Sequence, residues 1–536
     1  MGTRGAPTGG DVGRLLIPEE TCWRSAHADR FSRITDGAHY LRDVKAAMLG
    51  AQRRIMLIGW DLDYRTAFEA DDVRLPGPNN LGLFLHWLVW RRPHLQVYLL
   101  KSNLRLLPAF DGFWFGIAPV SILNQITSRR MHFEVDGAHP TGAVHHQKLV
   151  IVDDAVAFCG GIDLTLGRWD TRMHAPGDPR RSAAGQSYGP RHEVAALVDD
   201  EAARALAEQA RDRWHAATGQ ALAPVEPTRP LWPDTATADL RDVQVGIART
   251  LPALPDRAEI REVEALNLAA IAAARNVIYL ENQYLAARSL AEALAARLRE
   301  PEGPEVVIVL PRSSESRLEQ RSMDSARERL LRILWSADTH GRLGVYWPVV
   351  AGGTPVYVHS KVMVVDDRFL RIGSSNLNNR SLGFDSECDV AVEAVPRTRG
   401  CVDIRREVVF ARDDLVSEHL GVTVEQFRTE LAGNGSFVAT VDSLRSTGRS
   451  LRKFTELMAM ADAGPFAEND LMDPSQVPAS LAHSVLSLVS GLVLWPLTRL
   501  APQTISAGRA LLDAVASALR DKEPSRDDAD GAPGEG

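Results

Sequence analysis

The sequence contains few cysteines and begins without an apolar leader. Only 4 of its 536 residues are cysteine. They lie far apart, without the spacing of a zinc site or a disulfide framework, at Cys22, Cys159, Cys388 and Cys401. We therefore expect neither a metal nor a cofactor. The segment Met1–Arg14 is polar and glycine-rich and has no apolar core of a secretory signal, which predicts a cytoplasmic protein.

An excess of positive charge and a bilayer-length apolar run are also missing. The chain has 61 Lys and Arg against 69 Asp and Glu, a net charge of −8, which argues against a nucleic-acid partner. The apolar segment Ser484–Thr498 is uncharged but shorter than the roughly 20 residues that cross a bilayer, and Pro496 interrupts it. This segment fits either an anchor at a membrane surface or a helix that caps the core.

Two copies of one eight-residue pattern dominate the chain. The first copy spans His146–Asp153 and the second spans His359–Asp366, each with His, Lys and Asp at its first, third and last positions. Glycine turns follow at the same distance, Gly160–Asp163 and Gly373–Asn376. Four apolar residues after each lysine are typical of a buried strand. Because side chains alternate along a strand, the His and Lys of each copy should face the same side.

Paired histidines and lysines suit phosphoryl transfer through a covalent phosphohistidine. One neutral imidazole can attack phosphorus, and a second, protonated imidazole can donate to the leaving oxygen and later deprotonate water or an alcohol. The lysines Lys148 and Lys361 would neutralise the phosphate oxygens, a task often given to metal ions. Backbone N–H groups of the turns at Gly161 and Ser374, and the amide of Asn376, would complete the phosphate site.

The paired motifs resemble the HKD motifs of the phospholipase D superfamily. The resemblance covers about residues 20–430 and includes segments similar to the lipid-cleaving branch, namely Ile58–Asp61, Gly160–Leu164, Gly167–Thr171 and Tyr279–Tyr284. It implies a metal-free phosphodiesterase acting on a phospholipid at a membrane surface, with water or an alcohol as acceptor. By analogy with the family, His146 is the nucleophile and His359 the general acid and base.

Carboxylates complete the predicted catalytic set. The resemblance implies that a carboxylate placed like Glu387 accepts a hydrogen bond from a catalytic histidine and fixes its tautomer. Glu193 is its counterpart in the first half, and Asp170 is a rival partner for His146. The last motif residues, Asp153 and Asp366, are counted with the catalytic motifs but are expected to brace loops or the partner half.

The first glycine turn departs from the commonest family pattern. Gly161 and Asp163 stand where many members carry Ser and Asn, a substitution that is frequent in lipid-cleaving members. An aspartate beside a phosphate repels it unless its charge is hydrogen-bonded away or neutralised. We therefore expect the second motif to supply more of the phosphate contacts.

The repeat extends beyond the motifs and predicts an α/β fold of two pseudo-twofold halves that share one active site. Strand-like segments 54–60, 97–100 and 132–135 parallel 276–282, 306–310 and 344–347. Helical spacing predicts helices over 44–52, 81–90 with Asn80 as N-cap, and 265–274. We expect halves at 20–230 and 240–430, a mainly helical, partly apolar extension at 431–520 and a disordered tail at 521–536.

The sequence thus favours hydrolysis or headgroup exchange on glycerophospholipids. A cardiolipin synthase-type phosphatidyltransferase, in which a lipid alcohol replaces water, is the alternative. A nuclease of the same superfamily is weaker because the chain is acidic. An inactive membrane-binding scaffold is disfavoured because both motifs are intact.

Overall fold

The structure is a computed structural model that describes residues 13–70, 74–103, 120–227, 229–315, 320–455 and 473–474. The apolar segment Ser484–Thr498 and the tail 521–536 lie outside the described residues, so both stay predictions. The bounds expected for the two halves, 20–230 and 240–430, also stay predictions.

Strands form the centre of the molecule. Those of the first half are β1 (Arg24–Thr35), β2 (Arg54–Gly59), β3 (Gln96–Ser102), β4 (Met131–Asp136), β5 (Leu149–Val152), β6 (Val156–Gly160), β7 (Ser182–Ala183), β8 (Gln186–Ser187), β9 (Arg191–His192) and β10 (Val194–Asp199). Those that follow are β11 (Leu240–Leu251), β12 (Ile260–Arg261), β13 (Val277–Glu281), β14 (Glu305–Val309), β15 (Leu343–Val349), β16 (Tyr357–Val358), β17 (Val362–Val365), β18 (Phe369–Gly373), β19 (Glu387–Glu393) and β20 (Ser450–Lys453).

Helices cover both faces of the strands. They are α1 (Gly37–Gly50), α2 (Leu81–Arg91), α3 (Val120–Ile126), α4 (Asp200–Thr218), α5 (Glu262–Ala273), α6 (Arg288–Arg299), α7 (Ser325–Ala337), α8 (Cys401–Leu420), α9 (Val424–Asn434) and α10 (Phe437–Leu444). Two short π-helical turns occur at Gln320–Asp324 and Arg380–Phe384. The predicted helix 81–90 is confirmed, with the Asn80 side chain accepting from the N–H of Leu83 at 3.3 Å.

Within the described residues, one 16-stranded sheet runs through both halves, and apart from β12 and β20 its strand order is symmetric about its centre. The central pair is β1 and β11, which are antiparallel. Outward from it the order is β10, β6, β5, β2, β3 and β4 on one side and β19, β18, β17, β13, β14 and β15 on the other. The strands β5 and β17, which lie within the two repeated motifs, occupy equivalent places. The duplicated α/β fold is therefore confirmed.

Alternating side chains divide the core into layers. On β2, Ile55 and Leu57 pack against helices α1 and α2, whereas Met56 and Ile58 face the opposite side. That opposite side carries α4, which packs on strands of the first half, and α8, which packs on strands of the second half. Leu57 is fully buried, so its replacement by alanine should cost about 2–5 kcal/mol.

The described residues after 430 add one strand to the helices that the sequence predicts. Helix α10 is present, but β20 adds an antiparallel strand to β15 at the edge of the sheet, with Tyr346 opposite Lys453. The strand is short and polar, so it carries no alternating hydrophobic pattern. It forms because the edge of β15 offers unpaired backbone groups.

Candidate active site

The two halves meet along the segments that lead into the repeated motifs. The N–H of His146 donates to the carbonyl of Ser386 in the second half at 2.9 Å. Strand β16 pairs in parallel with β9 of the first half, and the N–H of His359 donates to the carbonyl of His192 at 2.9 Å. Each motif is thus anchored on the opposite half.

Each motif histidine also contacts a carboxylate of the opposite half. Nδ1 of His146 lies 3.0 and 3.1 Å from the two carboxylate oxygens of Glu387 and 3.1 Å from the carbonyl of Ser374. Nδ1 of His359 lies 2.8 Å from Glu193. Because these neighbours accept hydrogen bonds, each Nδ1 carries the proton and each Nε2 keeps its lone pair.

The motif lysines are buried beside their own histidines. Nζ of Lys148 donates to the carbonyl of His146 at 2.8 Å and lies 3.3 Å from Asp163. Nζ of Lys361 donates to the carbonyl of His359 at 2.6 Å and to the side chain of Gln283 at 3.1 Å. These contacts hold two ammonium groups within the same small region.

Gly161 lies directly against the second motif. A Cβ added to it would lie 3.1 Å from the carbonyl oxygen of His359 and 3.3 Å from the side chain of Lys361. The glycine therefore permits a close approach that a larger residue would obstruct. The first glycine turn and the second motif thus form one site.

The second glycine turn, Gly373–Asn376, binds the carboxylate of Glu387 in addition to providing groups for a phosphate. The Ser374 hydroxyl donates to Glu387 at 2.5 Å, and its N–H donates to Asp389 at 2.9 Å, so this N–H is already engaged. Asn376 is buried, and its side-chain oxygen accepts no hydrogen bond from the described residues. The carboxylate of Asp163 is held by the N–H of Trp60 at 3.0 Å in addition to Lys148.

The last residues of the motifs bind backbone groups. The carboxylate of Asp153 accepts from the N–H groups of residues 52–54 at 2.6–2.8 Å, and that of Asp366 accepts from residues 275–277 at 2.8–2.9 Å. These carboxylates brace the starts of β2 and β13. The structure brings neither of them to a motif histidine.

Burial and neighbouring cations set the protonation of the site. Burial, followed by Lys148 and Lys361, lowers the pKa of His146 well below its usual 6.5. Burial, followed by Lys361, likewise lowers the pKa of His359 well below 6.5. Burial raises the pKa of Glu193 and, well above its usual range, that of Glu387. Both histidines are thus neutral at rest, and a bound phosphate anion would favour the imidazolium form.

Sequence reasoning missed two arginines beside Glu193. The guanidinium groups of Arg168 and Arg191 lie 3.6 and 3.8 Å from its carboxylate, and both contribute to the lowered pKa of His359. Arg168 could have been found from the sequence, because it lies in the segment Gly167–Thr171, which resembles the lipid-cleaving branch. Arg191 sits two residues before Glu193, inside an insertion without a pattern.

The prediction of Asp170 as an alternative partner for His146 was wrong. The carboxylate of Asp170 lies 2.9 Å from Nδ1 of His174 and 3.0 Å from the guanidinium of Arg181. It also accepts from the N–H of Arg191 at 2.9 Å. These contacts belong to the insertion around 174–191, which folds back on itself and carries Asp170 away from the motif.

Among the described residues, we find no helix whose length and apolar character would let it cross a membrane.

Comparisons with known proteins find similar sequences over part of the chain. A family model described as cardiolipin synthase, PLD-like domain, matches residues 268–400, and a phospholipase D model matches residues 351–458. Phospholipase D1 of Schizosaccharomyces pombe is 26% identical over 380 residues, which cover 52% of this chain and 27% of that protein. Phospholipase D alpha 2 of Oryza sativa subsp. japonica is 25% identical over 404 residues, covering 53% of this chain and 49% of its own.

A solved structure supports the same fold. The phosphatidylserine synthase of Haemophilus influenzae Rd KW20 superposes with a TM-score of 0.53 at 13% identity, covering 77% of this chain and 95% of that one. Over the matched residues, the chain is similar to the phospholipase D superfamily. It spans about half, or less, of the length of the curated relatives just named.

Proposed function

We propose that the protein is a phospholipase D-like phosphodiesterase that hydrolyses or transphosphatidylates glycerophospholipids. The observation that carries the proposal is the reciprocal pairing of His146 with Glu387 and of His359 with Glu193, beside two buried lysines. Two oriented imidazoles and two cations are what a covalent phosphoryl transfer requires.

In the first step, Nε2 of His146 attacks phosphorus. A P–N bond forms while the P–O bond to the headgroup breaks, and His359 donates its proton to the departing oxygen. Glu387 stabilises the cationic, phosphorylated imidazole through Nδ1. Lys148, Lys361 and Asn376 bind the equatorial oxygens, whose charge they partly neutralise.

In the second step, His359 removes a proton from water or an alcohol. The new P–O bond forms as the P–N bond breaks, which regenerates neutral His146 and returns to His359 the proton that it gave up in the first step. Water yields phosphatidic acid, and an alcohol yields an exchanged phospholipid. The same residues serve both outcomes, because they differ only in the acceptor.

The substrate class is supported by the names of the relatives and by an exposed aromatic side chain. The Trp60 side chain is 36% exposed, and the backbone N–H of this residue donates to Asp163 beside Lys148. An exposed indole next to a phosphate site suits contact with a lipid surface. We propose a peripheral encounter with the membrane from the cytoplasm.

A phosphatidyltransferase of the cardiolipin synthase type is the second candidate. The family model that matches residues 268–400 favours it. In this reading a second lipid alcohol, rather than water, attacks the phosphohistidine.

Product analysis separates these readings. Purified protein is incubated with mixed phospholipids, with and without ethanol, and the products are analysed by mass spectrometry. Phosphatidic acid, joined by phosphatidylethanol when ethanol is present, supports the main proposal, and cardiolipin supports the second candidate. A matched control carries both His146→Ala and His359→Ala. A parallel reaction contains DNA in place of lipid. Intact lipids in every lipid reaction, with or without cleavage of the DNA, would reject both.

A further inference from the structure

A second cluster of ionisable side chains lies immediately behind the His359–Glu193 pair. Four fully or almost fully buried side chains converge there, and their donor atoms all lie within 4.8 Å of one another: Asp36, His174, His192 and Glu418. They come from the β1–α1 junction, from the insertion before β10, and from α8. The cluster thus joins the two halves of the sequence.

Several distances between the donor atoms are close to those between the ligands of one metal ion. Oε1 of Glu418 lies 3.1 Å from Nδ1 of His192 and 3.2 Å from Nε2 of His174. The carboxylate oxygens of Asp36 lie 3.3 Å from Nδ1 of His192 and 3.9 Å from Nε2 of His174. Four ligands at about 2.0–2.2 Å from one zinc ion would lie about 3.4 Å apart.

The outer nitrogen of each histidine is bound by a further carboxylate. Nε2 of His192 lies 3.0 Å from Glu281, and Nδ1 of His174 lies 2.9 Å from Asp170. This leaves Nδ1 of His192 and Nε2 of His174 directed at the shared centre. A carboxylate on the outer nitrogen is the usual arrangement around histidine ligands, because it fixes the tautomer and makes the imidazole a stronger donor.

Asp36 supplies an independent indication of a ligand. Its side chain is fully buried, and its Oδ2 atom accepts no hydrogen bond from the described residues. Buried carboxylate oxygens without a donor are unfavourable unless a cation compensates them. In the other carboxylate of the cluster, Oε2 of Glu418 accepts from Arg172 at 2.5 Å. Its Oε1 atom faces the two histidines, with the guanidinium of Arg449 3.9 Å away.

We infer that Asp36, His174, His192 and Glu418 bind one structural Zn²⁺ ion. Two neutral imidazoles and two carboxylates give a neutral complex with a divalent cation, as a buried site requires. Four protein ligands leave no position for substrate, which distinguishes a structural from a catalytic zinc site. The ion would stabilise the contact between α8 and the insertion, and it takes no part in the phosphoryl transfer.

Backbone hydrogen bonds connect the proposed ion site to the active site. The N–H of Glu193 donates to Asp36 at 3.2 Å, and the N–H of Asp36 donates to the carbonyl of Glu193 at 2.7 Å. The carbonyl of His192 accepts from the N–H of His359 at 2.9 Å. Fixing Asp36 and His192 therefore fixes the backbone that positions the Glu193–His359 pair.

The sequence did not predict this site because its ligands are widely separated. Only His174 and His192 lie within one segment, and their spacing fits no short zinc motif. Folding alone brings Asp36 and Glu418 to them. The expectation of no metal therefore rested on local spacing.

Metal analysis of the full-length protein tests the inference. After removal of any affinity tag, elemental analysis should find about one zinc per chain. His174→Ala should lose the zinc, and Asp170→Asn should weaken zinc affinity about 10- to 100-fold. His27→Ala is the matched control, because His27 lies in a partly exposed carboxylate cluster elsewhere and should keep the zinc.

A second measurement on the unmodified chain avoids any folding defect of the variants. Prolonged dialysis against a strong chelator should lower the melting temperature, and added Zn²⁺ should restore it. Co²⁺ should give the intense visible absorption of a tetrahedral site. Zinc-free purified protein whose melting temperature does not respond to Zn²⁺ would overturn the inference and leave a hydrogen-bonded network of imidazolium ions. Neither result tests the proposed phosphodiesterase chemistry, which the product assay tests separately.

Discussion

Glu387 of the second half lies 3.0 Å from Nδ1 of His146 in the first half. The reverse contact joins Glu193 of the first half to His359 of the second at 2.8 Å. Neither half therefore contains a complete histidine–carboxylate pair. Catalysis by this protein would depend on the interface between the halves as much as on the motifs themselves.

Activity should require both histidines. His146→Ala and His359→Ala should each lower kcat on the order of 10³-fold or more, and the double variant should be little worse because the two act as a unit. Steady-state kinetics on a soluble phosphodiester would measure this. Two single variants that each keep half the activity would indicate two independent sites instead.

Replacing Glu387 or Glu193 should lower the turnover rate more than it weakens substrate binding. Glu387→Gln and Glu193→Gln keep the shape but remove the charge that stabilises an imidazolium, so kcat should fall about 10²- to 10⁴-fold with little change in KM. Glu208→Gln, in a partly exposed ion pair with Arg24, is the control and should behave as wild type. An unchanged kcat in Glu387→Gln would remove this residue from the mechanism.

The alkaline limb of the pH profile of kcat/KM should lie at a lower pH than the ordinary pKa of a histidine would give. A general acid acts only while protonated, so kcat/KM falls as pH rises through its pKa. Because burial and then Lys361 lower the pKa of His359 below 6.5, this alkaline limb should lie below pH 6.5 in the free enzyme. The limb for kcat should lie higher, because bound phosphate favours the imidazolium. Rate measurements on a soluble substrate over a range of pH would test the order of the two alkaline limbs. An alkaline limb of kcat/KM at higher pH than that of kcat would contradict the prediction.

Replacing a terminal motif aspartate should affect stability first. Asp153→Asn weakens hydrogen bonds to three backbone N–H groups, so the free energy of unfolding should fall by about 1–3 kcal/mol. Activity per folded molecule should change little, since no motif histidine contacts this carboxylate among the described residues. Denaturant titration alongside kinetics would separate the two effects. A stable but inactive variant would place Asp153 in the chemistry.

The sequence predicted what local patterns encode. The motif strands, helix α2 and the repeated order of segments are confirmed because alternation and helical spacing are properties of neighbouring residues. The partners of the histidines were harder to assign, since β10 and β19 are brought next to the opposite half by the central pair β1 and β11, which lies far from the motifs in sequence. Asp170 and the cluster around Asp36 depend on how the insertion folds back, for which the sequence has no periodic signal.

A covalent intermediate on His146 is the most direct test of the account. A phosphodiester with a nitrophenol leaving group needs no acid, so His359→Ala should release about one equivalent of nitrophenolate rapidly and then turn over very slowly. Mass spectrometry after an alkaline quench should find the adduct on His146, and acid should remove it. His146→Ala should show no burst. The absence of a burst and of any histidine adduct in His359→Ala would contradict the phosphohistidine mechanism.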